Sequence, residues 1–422
     1  MATVTRRRFL AGAAAATSLL SRLALAQGKG PEVVVIGGGF GGASAARTLK
    51  RLSPSVSVTL VEPNATYTAC PFSNSVIGGS RKIEQQQFNY DGFGASGVRV
   101  VTATATQIDA TARSVTLSDG ARLSYDRLIL SPGIDLRWDG LPGYTEAAAE
   151  RMPHAWKAGG QTLLLRRQLK AMDDGGLVVI AAPANPFRCP PGPYERASLI
   201  ASYLKANKPR SKVLILDAKD AFSKQSLFLA AWQELFPGMV EWVPLSKGGK
   251  VVSVDPATHT LVTEFGSHRA AVANVIPPQR AARIAEIAGA ADRTGWCPID
   301  PVTFESTLQP NIHVVGDAAI AGAMPKSAFA ANAQAKVCAA AVAKLLAGET
   351  VDATKLINTC YSLVMPGYGI SVAGVYEPRG GLLADVKGAG GVSVAKADRT
   401  VRAAEAEHAH AWFATITTEA FG

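Results

Sequence analysis

Residues 32–52 read EVVVIGGGFGGASAARTLKRL, an apolar run, a glycine turn and a stretch of helix formers. Gly37, Gly39 and Gly42 stand in G-x-G-x-x-G spacing, and Glu62 closes a second apolar run, VSVTLVE, twenty residues beyond Gly42. The glycines let the backbone turn tightly and approach a pyrophosphate at a helix N-terminus, while an acid at that distance accepts a ribose hydroxyl. A lone G-x-G-x-x-G is also compatible with a structural glycine turn. The strand before it, the helix after it and the placed acid make it a dinucleotide fingerprint. Residues 175–195, GGLVVIAAPANPFRCPPGPYE, occupy the place of a second such unit, yet Ala181, Ala182 and Pro183 stand where its glycines belong. The chain is therefore expected to hold one dinucleotide and not to reduce it with NAD(P)H.

Outward from these segments the pattern stays α/β. Residues 98–133 alternate apolar and polar residues around a Ser118-Asp119-Gly120 turn, predicting a small antiparallel meander before Leu128 to Leu130 return to the main sheet. From about Gly160 to Pro278 a cruder α/β pattern repeats, with LVVIAAP and KVLILDA as strands around the helical ERASLIASYLKAN. NIHVVGDAA, residues 311–319, reads as a buried strand ending in Gly316-Asp317, where the acid can hold a sugar hydroxyl of the same cofactor. On its own such a dipeptide is more often a turn. The Ala-rich helix that follows Ser327 directs its positive end toward the place of a flavin ring. From about Val351 the chain turns to strands of a smaller unit.

The 422 residues are enough for two or three domains, and 48% hydrophobic with 18% charged residues is ordinary for a globular enzyme. The first 26 residues combine Arg6 and Arg7, an Ala-rich apolar run and the small-x-small Ala24-Leu25-Ala26, the pattern of a Tat signal and hence of a periplasmic protein. Its loss removes four arginines and no acid, leaving 39 basic against 33 acidic residues and lowering the balance from +10 to +6. No basic tract suggests nucleic acid, and no later apolar stretch has a membrane span's length. Five cysteines, at 70, 189, 297, 338 and 360, form no C-x-x-C and no haem attachment site, so electrons must leave to a group outside the chain.

GGGFGG, EPNATYTACPFSN, FRCPPGPYE, VANVIPPQRA, GWCPID, VVGDAA and NTCYSLV together resemble the flavoprotein subunit of flavocytochrome c sulfide dehydrogenase, over nearly the whole chain. The resemblance implies two Rossmann-like three-layer domains of glutathione-reductase type plus a smaller C-terminal α+β domain. Its expected boundaries are a signal at 1–26, an FAD-binding domain at 27–155 and 286–348, a second Rossmann-like domain at 156–285 and a C-terminal domain at 349–422. It further implies FAD bound through Gly37, Gly39, Gly42, Glu62 and Asp317 and linked covalently to Cys70. Cys189 and Cys360 match the family's redox disulfide, Glu195 its proposed acid or base, and Trp412 the tryptophan that covers the site. The implied substrate is a small inorganic sulfur species, and the implied partner a c-type cytochrome subunit with one or two haems.

Plainer readings stand beside these. Cys70 can be a buried free thiol, and Cys189 with Cys360 an ordinary disulfide between domains. Cys297 and Cys338 read as packed small residues, and His408 with His410 as too few ligands for a metal. Two rival functions share the features: a sulfide:quinone oxidoreductase, whose family carries C-terminal amphipathic membrane helices, and a redox-inactive flavin-binding assembly subunit. The tail AEAEHAHAWFATITTEAFG is too short and mixed for a clear helix of that kind, and an inactive subunit would need neither sulfur.

Overall fold

The computed structural model describes residues 30–422; the expected Tat signal lies outside them. The first strand, β1 (Glu32–Ile36), runs into the glycine turn and helix α1 (Phe40–Leu52), which returns to β2 (Ser57–Glu62). A short helix α2 (Ser73–Gly78) follows, then β3 (Val98–Thr102) and an antiparallel trio, β4 (Ala105–Asp109), β5 (Ser114–Leu117) and β6 (Arg122–Ser124). β7 (Arg127–Leu130) then rejoins the main sheet. With β15 (Ile312–Val314) from far down the chain, that sheet has the order β15-β7-β1-β2-β3, with every pair parallel. Val33, Val34, Val35 and Ile36 are all buried because both faces of a parallel sheet are covered, which is why this strand shows no alternation.

Helix α3 (Gly160–Ala171) leads into a second parallel sheet. It is built from β8 (Leu177–Ala182), β9 (Lys212–Asp217), β10 (Val240–Val243) and β14 (Val272–Val275) in the order β10-β9-β8-β14. Helices α4 (Gly192–Asn207) and α5 (Gln225–Leu235) connect its strands. Between β10 and β14 lies an antiparallel trio, β11 (Val251–Asp255), β12 (Thr260–Thr263) and β13 (Gly266–Arg269), which the α/β pattern did not predict. Strands of four or five residues joined by turns leave too short a period to separate from loop.

The Ala-rich helix α6 (Ala328–Leu346) crosses α1, and their small residues allow close approach, with Asn332 Nδ2 donating to Ser44 Oγ at 2.7 Å. The C-terminal unit is an antiparallel sheet of β16 (Leu356–Met365), β17 (Tyr368–Arg379) and β18 (Leu382–Asp385), covered by α7 (Arg399–Phe421). A Cβ on Gly369 would lie 2.5 Å from the Ala406 nitrogen, so glycine there lets α7 lie directly on the sheet. The fold class expected from the sequence is the one observed, two parallel-sheet α/β units and a smaller α+β unit. Among the described residues no helix is long and apolar enough to cross a membrane.

Candidate active site

The glycine turn is shaped by contacts that only glycine tolerates. Gly37 has φ +96°, and a Cβ on Gly42 would lie 1.8 Å from the Gly37 carbonyl oxygen, so β1 and α1 can meet this closely only without side chains. The N-terminus of α1 has no side-chain cap and no acid in its first turn, which leaves its N–H groups and positive dipole end for an anion. Glu62, at the end of β2, is buried and accepts from the Gly38 N–H at 2.8 Å and from the Asn64 side-chain amide at 2.9 Å. It is thereby held beside the turn, where a ribose would lie.

From that turn the cleft leads to Asp317, Arg188, Tyr67 and Cys70. Arg188 Nη1 lies 3.6 Å from Asp317 Oδ2, and Tyr67 interacts electrostatically with Cys70, Arg188 and Asp317. Arg188 also donates to the Trp156 carbonyl, and its own N–H donates to Gln279 Oε1 at 2.9 Å. Trp156 Nε1 and Gln279 Nε2 are buried and have no protein partner. Orphaned donors in a buried site call for acceptors from a bound group. A glycine cradle at one end and unmatched donors with a cationic guanidinium at the other fit a flavin dinucleotide. Gly37, Gly39 and Gly42 would take its pyrophosphate, Glu62 and Asp317 its sugar hydroxyls, and Cys70 stands near the ring end, its thiol 3.9 Å from the Trp156 carbonyl.

Beyond Arg188 the two candidate redox cysteines come together from distant parts of the chain. Cys189 sits in the Pro-rich loop ahead of α4 with φ +58°, an uncommon conformation for a side-chain-bearing residue, fixed by its N–H donating to the Lys326 carbonyl at 2.9 Å. Cys360 lies mid-way along β16. Strand alternation puts Asn358, Cys360 and Ser362 on one face, and the Asn358 amide lies 3.3 Å from the Cys360 sulfur. Cys189 and Cys360 interact electrostatically, and the structure holds both as free thiols. Burial, with Glu195 and Cys360 adding to it, pushes the Cys189 thiol well above its ordinary value, while Arg188 and Lys224 pull the other way.

Glu195 occupies the first turn of α4, where a negative charge is favoured. Its carboxylate accepts from the Leu363 N–H on β16 at 2.8 Å and from the Asn74 amide on α2 at 2.9 Å. Burial raises its pKa against the pull of those donors and of Lys224 and Arg196. Trp412, on α7, stacks on Phe329 at 6.1 Å and packs on Tyr361, the neighbour of Cys360. Lys224, in the left-handed region at φ +62°, donates to the Cys360 carbonyl and to Ser362 Oγ, both at 2.8 Å.

The structure thus brings Cys189, Cys360 and Glu195 into one half-buried cluster with Trp412 at its edge, adjoining Cys70 and Asp317 through Arg188. Gly37, Gly39, Gly42 and Glu62 form the far end of the same cleft. Cys297 and Cys338 are buried away from this cluster, the Cys297 thiol pushed up to about 12 by burial. His410 packs on Phe72, and among the described residues no cluster could hold a metal. Sequence reasoning missed Lys224, Arg188, Gln279 and Asn74. Arg188 and Gln279 stand inside motifs already singled out, whereas a lone lysine in DAFSKQS carries no signal.

This fold is that of the pyridine nucleotide-disulfide oxidoreductases, and residues 31–170 match the family model "Pyridine nucleotide-disulphide oxidoreductase". Residues 162–277 match "Sulfide dehydrogenase [flavocytochrome c] flavoprotein chain, central", and residues 352–421 match "Flavocytochrome c sulphide dehydrogenase, flavin-binding". The chain is 66% identical over 45 residues to the sulfide dehydrogenase [flavocytochrome c] flavoprotein chain of Chlorobaculum thiosulfatiphilum, covering 94% of that sequence and 11% of this one. It is 22% identical over 308 residues to the mitochondrial sulfide:quinone oxidoreductase of Mus musculus, a match spanning 68% of this chain and 65% of that one. The solved sulfide:quinone oxidoreductase of Aquifex aeolicus superposes with a TM-score of 0.72 over 92% of both chains at 17% identity, a likeness of fold. The chain belongs to the family of the flavocytochrome c sulfide dehydrogenase flavoprotein chain.

Proposed function

We propose that this chain is an exported FAD enzyme that oxidises sulfide to sulfur or polysulfide through Cys189 and Cys360 and passes the electrons to a c-type cytochrome subunit. The observation that carries this reading is the juxtaposition of two cysteines 171 residues apart with a half-buried acid, next to the Arg188 and Asp317 end of the dinucleotide site. In their oxidised state the two sulfurs form a disulfide. Sulfide as HS⁻ attacks one sulfur, the S–S bond breaks, that sulfur becomes a persulfide and the other leaves as a thiolate. Glu195, with its pKa raised by burial, takes the proton that hydrogen sulfide must lose. Trp412, Phe329 and Tyr361 form an aromatic cover over this edge of the site. FAD, attached at Cys70, supplies a two-electron acceptor that can release electrons singly.

Exclusion of NAD(P)H has its own support in the second Rossmann-like unit. Asp217 ends β9, the place of a ribose-binding acid, yet its carboxylate already accepts from Tyr194 at 2.5 Å, Lys219 at 2.5 Å and Trp242 at 2.9 Å. Phe222 stacks on Tyr194 at 3.6 Å above it. Three internal donors leave this acid little to offer a ribose.

Anaerobic rapid mixing tests the reading. Sulfide is expected to bleach the flavin within a turnover and NADH to leave it oxidised, and the reduced protein to reduce a c-type cytochrome faster than a short-chain quinone. Fast bleaching by NADH, or sulfide reduction that survives in both Cys189→Ser and Cys360→Ser variants, would overturn it.

A further inference from the structure

Both cysteines of the site are held from one short segment, the two residues that open α6. The Lys326 carbonyl accepts from the Cys189 N–H at 2.9 Å and fixes only its backbone. Ser327 reaches the other cysteine through a side chain. Its hydroxyl oxygen caps α6 by accepting from the Ala330 N–H at 3.0 Å, and its single proton goes to Asn358 Oδ1 at 2.6 Å. With Oδ1 so engaged the amide has one orientation, and Nδ2 points to the Cys360 sulfur, 3.3 Å away. Asn358 is 2% exposed and stands two residues before Cys360 on β16, hence on the same face of the strand. An asparagine this buried, its oxygen tied to a helix cap, is a fixed donor.

Such a donor matters most to one state of the sulfur. A thiol or disulfide sulfur is a weak acceptor, whereas a hydrogen bond to a thiolate is charge-assisted and roughly twice as strong as a neutral one. Opening a disulfide with two electrons and one proton leaves one thiol and one thiolate, so a donor at one sulfur selects where the charge resides. The surroundings of the two sulfurs differ. Among the described residues no donor reaches the Cys189 sulfur, and burial first, then Glu195, outweigh Arg188 and Lys224 to hold its thiol protonated. Facing Cys360, Lys224 is cationic and donates to the Cys360 carbonyl at 2.8 Å. Tyr376 on β17, pushed up to about 12 chiefly by burial, is neutral. Glu195 lies further along the strand, accepting from the Leu363 N–H.

We propose that Asn358, aimed by Ser327, is a positioning residue for the redox chemistry, holding the charge of the reduced cysteine pair on Cys360 and thereby setting how readily the disulfide opens. This rests on the reading of Cys189 and Cys360 as a redox pair, and adds the residue that makes its two sulfurs unequal. When the S–S bond breaks, two electrons enter from the reductant, one proton ends on Cys189, and the negative charge stays on Cys360 under the Asn358 amide.

Alkylation reads this charge, because the thiolate and not the thiol is the nucleophile. The full-length, flavin-loaded protein is reduced without oxygen by a water-soluble phosphine, which takes up water to become its oxide. Iodoacetamide is then added, and the reaction of each cysteine is timed by mass spectrometry of its peptide. In the wild-type chain at pH 7 Cys360 should react at least threefold faster than Cys189; a smaller ratio, or the reverse order, overturns the proposal. Asn358→Leu keeps the shape and lacks the donor. Its Cys360 should be slowed at pH 7 by a factor at least threefold greater than at pH 10, where base removes the proton with or without the amide. Slowing by similar factors at both pH values would make Asn358 a packing residue and overturn the proposal. Ser327→Ala, which frees the amide to turn, should give a smaller loss in the same direction, and an unchanged Cys360 rate there overturns the aiming. Should Asn358→Leu misfold, the wild-type ratio and Ser327→Ala still decide. The reading beneath is tested apart. If sulfide bleaches the flavin of Cys189→Ser and Cys360→Ser as fast as that of wild type, the redox role falls and takes the inference with it. If bleaching needs both cysteines and Asn358→Leu alkylates as wild type does, the inference alone falls.

Discussion

Cys70 stands where a thiol has little structural reason to stand, half-buried, with only a weak contact to the Trp156 carbonyl at 3.9 Å and Arg188 in its field. If it carries the flavin, acid-precipitated or denatured protein keeps its yellow colour, and the Cys70 peptide gains the mass of FAD or of its fragment. A Cys70 peptide at its unmodified mass from fully loaded protein would leave the cleft intact and end the covalent link. Glu195 invites a sharper substitution. Glutamine fills the same space and can still accept from one of the two donors, the Leu363 N–H or the Asn74 amide, so Glu195→Gln should fold and hold FAD at the cost of one hydrogen bond. It cannot take a proton, and the loss of a general base typically costs 10²–10⁴-fold. Flavin bleaching by sulfide should therefore slow by at least ~100-fold, with the loss greatest at low pH where hydrogen sulfide carries the proton to be removed. A rate within threefold of wild type across that range would make Glu195 a clamp between α2, α4 and β16 and nothing more.

At the scale of elements, α4 is what brings the site together. Its first turn carries Glu195, and the next residue, Arg196, is fully buried and donates to Asn74 on α2, to Asn274 on β14 and to the His154 and Ala155 carbonyls, at 2.6 to 3.0 Å. Removing it leaves three acceptors without a donor, since the His154 carbonyl keeps the Asn274 amide at 2.9 Å, and each costs about 1–3 kcal/mol when buried. Arg196→Met should therefore lose at least ~3 kcal/mol, seen as a lower urea midpoint, and weaken FAD retention through Trp156, whose ring lies 4.9 Å from the guanidinium. A midpoint equal to wild type would show that water replaces the lost donors. None of this network was legible in the sequence. The parallel strands and the glycine turn were, because their apolar runs and spacing are local. So were Cys189, Cys360 and Glu195, because their motifs resemble a family's. Arg196 and Lys224 act through partners 41 to 138 residues away, and no local pattern marks an arginine or lysine as buried. Asp217 misleads in the opposite sense, since its position suggests a nucleotide and only the structure shows Tyr194, Lys219 and Trp242 already upon it.

The whole molecule has a pH dependence written into two buried histidines, His154 and His313. His154 is held neutral, its pKa lowered to about 3 by burial and by Arg196, Lys157 and Arg188, while its Nδ1 accepts the Trp156 N–H at 2.9 Å. His313, on β15, is lowered to about 4 mainly by burial, with Nδ1 against the Thr303 carbonyl at 2.9 Å and Nε2 facing Arg127 at 3.5 Å. Protonation would turn an acceptor on His154 into a donor aimed at a donor, and on His313 would set a proton against a guanidinium. In the unfolded chain both titrate near 6.5. A folded pKa below the unfolded one means the unfolded state binds more protons between the two, so the stability these groups contribute is complete above pH 6.5 and lost as pH falls toward 4. The slope approaches about 1.4 kcal/mol per pH unit for each histidine. Melting temperature should thus fall steadily from pH 6.5 to 4.5, before most carboxylates titrate. His154→Asn, which keeps an acceptor near the Nδ1 position, should flatten the fall by about half, and adding His313→Asn should remove most of the remainder. Because His154 holds the Trp156 backbone, and Trp156 meets both Cys70 and Arg188, the wild-type protein should also lose flavin fluorescence anisotropy, or free flavin if Cys70 is unlinked, over the same interval. An acid transition unchanged in the double variant would place the sensitivity in carboxylates that folding holds ionised, and detach it from the histidines.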